Sequence, residues 1–276
     1  MGNIVKVRNI SIGGKRPVVL IAGPCVIESQ DSAMWHAERL KKLADRLGIP
    51  FIYKSSYDKA NRMSVDSYRG PGLIDGINIL RKIRRELNIP VLSDIHCKEE
   101  VSEVKDVLDV IQIPAYLCRQ TDLVLAAART GKPINIKKGQ FMAPWDIRNI
   151  VRKIESVHNK NILLTDRGVS FGYNALISDL RSILIMKKTG YPVIYDATHS
   201  VQVPGGLGTK SGGEREFIPH LALAAVSCGA DAVFIEVHKD PSKALCDGPN
   251  MLKLDDLEGL LVKIMAIEKI VRKVRS

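Results

Sequence analysis

Short apolar, β-branched runs recur along the chain, each separated from the next by a stretch of helical periodicity. They are V-V-L-I-A (18–22), I-P-F-I-Y (49–53), P-V-L-S-D (90–94), L-D-V-I-Q-I (108–113), I-N-I-K (134–137), N-I-L-L-T-D (161–166), P-V-I-Y-D (192–196) and A-V-F-I-E (232–236). Runs that are apolar throughout predict strands buried on both faces, and hence a parallel sheet. Helices are predicted near 32–47, 73–87, 99–105, 121–130, 144–157, 175–188, 215–228 and 255–274. In the last of these, Leu257, Leu261, Ile264, Ile267, Val271 and Val274 fall on one stripe. Gly48, Gly131, Gly190 and Gly229 stand where C-terminal helix caps are expected. Eight strand–helix units predict an α/β fold, a closed (β/α)8 TIM barrel, with an open doubly wound sheet as the alternative. Before the first strand, V-K-V-R-N-I-S-I-G-G-K reads as a short N-terminal β-hairpin within residues 1–16, turning at Gly13-Gly14 and plugging the barrel bottom. No linker or low-complexity run divides the 276 residues, so one barrel domain spanning 1–276 is expected.

Polar residues cluster at the C-terminal ends of these runs. Cys25 follows the first, Lys54 the second, and Asp94 with His96 the third; Gln112 closes the fourth and Lys137 the fifth. Asp166 and Arg167, then Asp196 with Thr198 and His199, and finally Glu236 with His238 complete the series. In a barrel these ends meet at one mouth, where such folds place their chemistry. A single member is readily explained as a hydrogen-bonded structural group, whereas a whole ring is not. Lys54, Lys59, Lys137 and Arg167 form an anion-binding set, and the stretch Tyr53–Arg62 adds Ser55, Ser56 and Asn61 as donors suited to carboxylate and phosphate. Cys25, His199, Glu236 and Asp247 form a possible set of ligands for a divalent ion such as zinc, iron or manganese. Their spacing is not a local metal motif, so that set depends on the barrel bringing them together. The glycine-rich V-P-G-G-L-G-T-K-S-G-G (203–213) matches no phosphate-loop pattern and reads as a lid that excludes water.

The net charge of +11 raises the question of nucleic acid. Dispersed basic residues, 5% aromatics and the absence of any zinc-finger or RNA-binding signature argue against it. The basic patches at Arg81–Arg85 and Lys269–Arg275 fall on amphipathic helices and read as solvated faces. Five cysteines without a C-x-x-C pair argue against a disulfide framework. Most of the cysteines are expected to pack, and Cys97, Cys118, Cys228 and Cys246 are not expected as ligands, although Cys246 stands beside Asp247. Trp35 and Trp145 are expected to pack, and His158, His220 and His238 are expected in surface or packing roles. No apolar run is long enough for a bilayer and the N-terminus lacks a signal-peptide core, so a cytoplasmic protein without membrane contact is expected.

Several blocks carry a resemblance. They are A-G-P-C-V-I-E-S (22–29), K-S-S-Y-D-K-A-N-R (54–62), S-Y-R-G-P-G (67–72), I-Q-I-P-A-Y-L-C-R-Q-T-D-L (111–123), N-I-K-K-G-Q-F (135–141), D-R-G-V-S-F-G-Y (166–173), Y-D-A-T-H-S-V-Q (195–202) and S-G-G-E-R-E (211–216). In this order, over residues 15–270, the chain resembles the 3-deoxy-D-manno-octulosonate 8-phosphate synthase family. The resemblance implies a homotetrameric (β/α)8 barrel that condenses phosphoenolpyruvate with D-arabinose 5-phosphate for lipopolysaccharide (Kdo) biosynthesis. It implies that Lys54, Ser56, Lys59, Gln112, Ala115, Lys137 and Arg167 hold phosphoenolpyruvate, and that Asn61 and Arg62 hold the sugar phosphate. Asp94 and His96 would lie near the reacting atoms, and Arg119 would approach a neighbouring subunit's site. With Lys54, Lys59, Lys137, Arg167 and His199 they make up the catalytic candidates. Members divide into metal-dependent and metal-independent groups, and Cys25 in A-G-P-C implies the former, with His199, Glu236 and Asp247 completing the ligands. One departure stands out: Met63 and Asp66 replace a serine and a histidine common in the family, so Ser64 or backbone groups are expected to serve the phosphate. The alternatives are the related synthase acting on erythrose 4-phosphate, a Schiff-base aldolase using Lys54 or Lys137, and a basic nucleic-acid-binding protein.

Overall fold

Each of the eight apolar runs becomes a strand in the computed structural model, which describes residues 2–206 and 212–274, the Val274 side chain excepted. After the hairpin strands β1 (Val5–Val7) and β2 (Ile10–Ile12) come β3 (Val19–Gly23), α1 (Gln30–Leu47), β4 (Phe51–Lys54), α2 (Leu73–Glu86) and β5 (Val91–Asp94). Then follow α3 (Val101–Val104), β6 (Val110–Ile113), α4 (Thr121–Ala128), β7 (Ile134–Lys137), α5 (Ile147–Glu155) and β8 (Ile162–Asp166). A small hairpin, β9 (Val169–Ser170) and β10 (Leu176–Ile177), precedes α6 (Arg181–Lys187), β11 (Val193–Asp196), β12 (Gln202–Val203) and β13 (Gly212–Gly213). The chain ends with α7 (Ile218–Ser227), β14 (Ala232–His238), β15 (Leu252–Lys253) and α8 (Leu254–Val274).

β3 to β8, β11 and β14 pair in parallel and in chain order, and β14 returns to β3 through Ala232↔Val19 to Glu236↔Gly23. The sheet is therefore closed: a (β/α)8 barrel, not an open sheet. Alternate residues of each strand serve two different cores. Leu20, Ala22, Tyr53 and Val193 face the helices, whereas Val19, Ile21, Ile52, Leu92, Val110, Leu163, Ile194 and Phe234 face inward. The inward set packs against Val5, Val7, Ile10 and Ile12 of the N-terminal hairpin, which closes the lower end of the barrel as expected.

Local differences have local causes. The hairpin turns at Arg8 (φ 52°) and Asn9 rather than at the glycine pair, which follows β2. The helices near 99, 144 and 215 each open with a 3-10 turn, at Lys98–Glu100, Pro144–Asp146 and Arg215–Phe217. The segment near 175 is not helical at its start, because Leu176 and Ile177 pair with Ser170 and Val169 across a turn containing Asn174 (φ 54°). A short apolar run carries too few residues for its periodicity to separate strand from helix. In the C-terminal helix the stripe is buried at Leu257, Leu261 and Ile264 and half-buried at Ile267 and Val271, while the Val274 side chain lies outside the described residues. Gly48 (φ 66°) caps α1 by donating to Ala44 and Asp45. The lid expected at 203–213 falls partly on residues 207–211, outside the described residues.

The plug predicts a measurable contribution to stability. Ile12 is fully buried, and Ile12→Ala is expected to lower the urea midpoint by an amount corresponding to about 2–4 kcal/mol. An unchanged midpoint would mean that the hairpin is not part of the core.

Candidate active site

The strand ends converge on a cavity of about 260 Å³. Lys54, Lys59, Asn61, Asp94, His96, Gln112, Ala115, Lys137, Arg167 and His199 line it, together with Pro114, Tyr116 and Leu117. Beneath the charges runs a belt of amides and a hydroxyl: Asn135 Nδ2 donates to Gln112 Oε1 (2.9 Å) and Thr165 Oγ1 donates to Asn135 Oδ1 (2.6 Å). Each cation is held by a fixed acceptor. Lys54 Nζ donates to Glu236 Oε1 (2.8 Å) and to the Cys25 carbonyl (3.1 Å), and Lys59 Nζ lies 4.0 Å from the same carboxylate oxygen. Lys137 pairs with Asp196 and sits 3.7 Å above the Phe234 ring, while Arg167 Nη2 donates to Gln202 Oε1 (2.8 Å). Burial, joined by the like charges of Lys54 and Arg167, pulls Lys137 down to about 8 against the opposing pull of Asp196. Burial would raise Glu236, yet the surrounding His199, Lys54, Lys59 and Lys137 hold it well below the usual carboxylate range.

A second network anchors His96. Ser56, behind the cavity wall, donates to Asp94 Oδ1 (2.6 Å), and Asp94 Oδ2 lies 3.2 Å from His96 Nε2. On the other side Glu100 Oε2 accepts from Tyr57 OH (2.6 Å) and from the His96 backbone N–H (2.7 Å), and lies 3.3 Å from His96 Nδ1. Burial disfavours the imidazolium, but the hydrogen bonds to Asp94 and Glu100 prevail and raise its pKa to about 10. Asp94 is correspondingly held well below its ordinary value, the imidazolium and the Lys59 and Lys54 charges outweighing its burial.

Barrel closure places residues from both ends of the chain side by side. His199, Glu236 and Asp247 each offer a ligand atom within 4.8 Å of the others, as do Cys25, Cys246 and Asp247. His199 Nε2 lies 3.5 Å from Glu236 Oε2 and 3.8 Å from Asp247 Oδ2, and Cys25 Sγ lies 3.4 Å from that same Asp247 oxygen. A thiol, an imidazole and two carboxylates form a donor set suited to a divalent transition ion. Two further observations fit a metal: Glu236 Oε2 is buried without a hydrogen-bond partner among the described residues, and His199 Nδ1 faces Asp196 Oδ2 at 2.8 Å, turning Nε2 toward the cluster. Gly23 lets the end of β3, two residues before Cys25, lie close against the end of β4, since a Cβ there would lie 1.9 Å from the Lys54 carbonyl oxygen.

Not every candidate reaches the cavity. Arg62 turns to the other wall of the mouth, donating to Cys246 Sγ (3.1 Å) and to the Leu245 carbonyl (3.4 Å), and lies 3.7 Å from Asp247 Oδ1. Ser64 Oγ accepts from the Asp66 N–H (3.2 Å) and so closes a local turn. Met63 is 64% exposed, and Arg119 is exposed outside the cavity. Trp145, expected to pack, is 58% exposed because it lies on a 3-10 turn ahead of α5. Trp35 is half-buried between Arg39 and Lys239, each 5.2 Å from its ring. Four contributors were not singled out as site residues: Asp196, Glu100, Tyr57 and Cys246, whose Sγ lies 3.0 Å from Cys25 Sγ. Asp196 closes a run like the other ring members; the remaining three had no signal separating them from packing or surface residues.

Among the described residues no helix is long and apolar enough to cross a membrane. A family model described as the DAHP synthetase I family matches residues 3–273. The chain is 62% identical over 268 residues to a protein of Geotalea daltonii (strain DSM 22248 / JCM 15807 / FRC-32) named 2-dehydro-3-deoxyphosphooctonate aldolase, covering 97% of this chain and 98% of that one. Proteins of the same name from Geotalea uraniireducens (strain Rf4) and Geobacter sp. (strain M21) are 61% and 58% identical, covering 97% and 98% of this chain and 98% of each relative.

The His96 network makes a pH prediction. A folded-state pKa near 10, above the ordinary value of about 6.5, means that the proton's stabilisation is complete below pH 6.5 and is lost as pH rises through 10. This single group removes up to about 1.4 kcal/mol per pH unit in that window. Lys137, depressed to about 8, acts oppositely above that pH, so the comparison is with His96→Asn and not with wild type alone. The wild-type stability advantage over His96→Asn should shrink between pH 7 and 10 in urea titrations. A constant gap would remove the imidazolium from the network.

Proposed function

The chain belongs to the DAHP synthetase I family, and from that premise we propose that it condenses phosphoenolpyruvate with D-arabinose 5-phosphate and water, yielding 3-deoxy-D-manno-octulosonate 8-phosphate and phosphate. This is the condensing step of Kdo synthesis for lipopolysaccharide. The observation that carries the reading is the cavity ringed by Lys54, Lys59, Lys137 and Arg167, which suits a small substrate bearing both carboxylate and phosphate. The A-N-R (60–62) and C-R-Q-T-D (118–122) blocks and the names of the relatives favour arabinose 5-phosphate over erythrose 4-phosphate.

The electron flow is simple. The π pair of phosphoenolpyruvate forms the bond from C3 to the aldehyde carbon, and the aldehyde oxygen takes up a proton. Water adds to C2 and loses a proton. The C2–O bond to phosphate then breaks as the new C2 hydroxyl gives up its proton, taken up by the departing phosphate, leaving the ketone. Lys137 and Arg167 hold the phosphoenolpyruvate anion, with Lys54 and Lys59 neutralising the wall behind it and Ser56, Gln112 and Ala115 shaping its seat. His96 is kept cationic for donation beside the anionic Asp94, so that donor and acceptor stand together where protons move. Asn61, Arg62 and Ser64 receive the sugar phosphate, which draws Arg62 away from Asp247.

Cys25, His199, Glu236 and Asp247 would hold a divalent ion, zinc, iron or manganese, which when bound would supply Lewis-acid polarisation of an aldehyde or water oxygen. The chain functions in the cytoplasm as a homotetramer in which Arg119 approaches a neighbouring site. Exposed Tyr116, Phe141, Trp145, Phe171 and Tyr173 on the loops after β6, β7 and β8 support that assembly, Tyr173 being 98% exposed.

Two measurements test the reading. Phosphate release from phosphoenolpyruvate with arabinose 5-phosphate should vanish on chelation and return with added divalent ion; activity indifferent to chelator would remove the ion from the reaction. Arg167→Ala should lower kcat/KM for phosphoenolpyruvate about 10²-fold or more with the circular dichroism unchanged. Wild-type kinetics in that variant would sink the cationic-seat assignment.

A further inference from the structure

Glu28 lies three residues beyond Cys25, on the loop leaving β3, and belongs to none of the groups described so far. Its side chain reaches across to the segment that follows β14. Glu28 Oε1 accepts from the Leu245 backbone N–H at 2.9 Å, and Oε2 lies 3.3 Å from His238 Nε2. The far side of His238 is fixed in turn, its Nδ1 lying 2.7 Å from the Asp240 carbonyl. The His238 ring also rests on that of His36, 5.0 Å between centroids, and His36 Nε2 accepts from the Lys239 N–H at 3.1 Å. Tyr68 OH donates to the carbonyls of Ile27 (3.0 Å) and Glu28 (3.2 Å), fixing the backbone from which the carboxylate projects.

The position of these contacts gives them meaning. Leu245 directly precedes Cys246 and Asp247, so one carboxylate ties the loop bearing Cys25 to the residue delivering the other two members of that cluster. The β3–β14 ladder registers the strands only as far as Glu236↔Gly23. Cys25 lies two residues past this pairing and Asp247 eleven. The Cys25 loop is bridged on one side to Ser56, and the segment after β14 rejoins the sheet only at β15 (Val237↔Leu252). Between these anchors the relative placement of Cys25 and Leu245–Asp247 depends on the contacts the two segments make with each other.

We propose that Glu28 is a positioning residue for the metal ligands, clipping the Cys25 loop to the Leu245–Asp247 segment so that thiol and carboxylate are held at bonding separation from one ion. This rests on the reading of Cys25, His199, Glu236 and Asp247 as metal ligands. Glu28 touches neither the ion nor the cavity; it acts through Leu245 and His238.

The test is titration of the chelator-stripped full chain with Co(II), following the thiolate-to-cobalt charge-transfer absorption and the affinity in competition with a chelator. Thermal melts of the same stripped proteins are recorded in parallel. Glu28→Ala should weaken Co(II) binding about 10–100-fold and diminish the charge-transfer band. Glu28→Gln should restore both, since its amide oxygen still accepts from Leu245 and its amide nitrogen can donate to a neutral His238. Glu28→Asp, one methylene too short to reach both partners, should behave as the alanine variant, and it stands in if alanine prevents folding. A melting temperature that falls while Co(II) affinity and band stay at wild-type values overturns the proposal, because the role would then be structural only. Equal loss in Glu28→Gln and Glu28→Ala also overturns the hydrogen-bonded clip. A wild-type chain that takes up no Co(II) overturns the ligand reading itself, and the clip with it.

Discussion

Two carboxylates stripped of water govern the mouth of this barrel. Asp196, at the end of β11, and Glu236, two residues before the end of β14, have side chains with no exposed surface, and an isolated buried carboxylate would cost several kcal/mol. Their neutralisation dictates where the cations stand. Lys54 and Lys59 are drawn to Glu236 and Lys137 to Asp196, while His199 sits between the two carboxylates as an imidazole whose charged form burial disfavours. The positive charges are consequently in place before any anion arrives, so little reorganisation accompanies binding. One arrangement thus serves folding and chemistry together.

The barrel interior is layered along its axis. The hairpin residues Val5, Val7, Ile10 and Ile12 fill the lower end, and an apolar layer of strand residues lies above them. Over this comes the Gln112–Asn135–Thr165 belt, then the charges. Phe234 joins two layers, packing with the hydrophobic set while presenting its face to Lys137. Water is kept from below by the plug and displaced from the sides by continuous strands. The electrostatic interactions at the top therefore act in a medium of low polarisability.

Much of this could be read from residue order, for a physical reason. A parallel strand buried on both faces must be apolar throughout, so all eight stand out, and the polar residue that ends each one is conspicuous against that background. Seven candidates read in this way, Lys54, Asp94, His96, Gln112, Lys137, Arg167 and His199, line a single cavity; Lys59 and Asn61 join them from the Tyr53–Arg62 stretch, and Ala115 was implied only by the family resemblance. The residues that escaped notice act through contacts that no spacing encodes. Glu100 matters because a 3-10 turn brings it beside Tyr57, 43 positions away, and Cys246 because barrel closure sets it against Cys25, 221 positions away. The β9–β10 hairpin was hidden because its strands are too short to show a period. Arg62 was legible as a cation of the mouth but not as a partner of Asp247, since nothing local tells a flexible side chain which of two anions it meets.

The closure of β14 onto β3 also has a consequence in time. A chain emerging from the ribosome exposes Cys25, Lys54 and Lys59 long before Glu236 and Asp247 have been translated. Until then β3 is an unpaired edge of hydrophobic sequence, and the lysines lack the carboxylate that later receives them. The site is complete only once β14, the last strand of the barrel, lies between β11 and β3. Synthesis halted before that strand leaves most of the polypeptide and none of the completed mouth, so the nascent protein is inert until nearly its whole length is made.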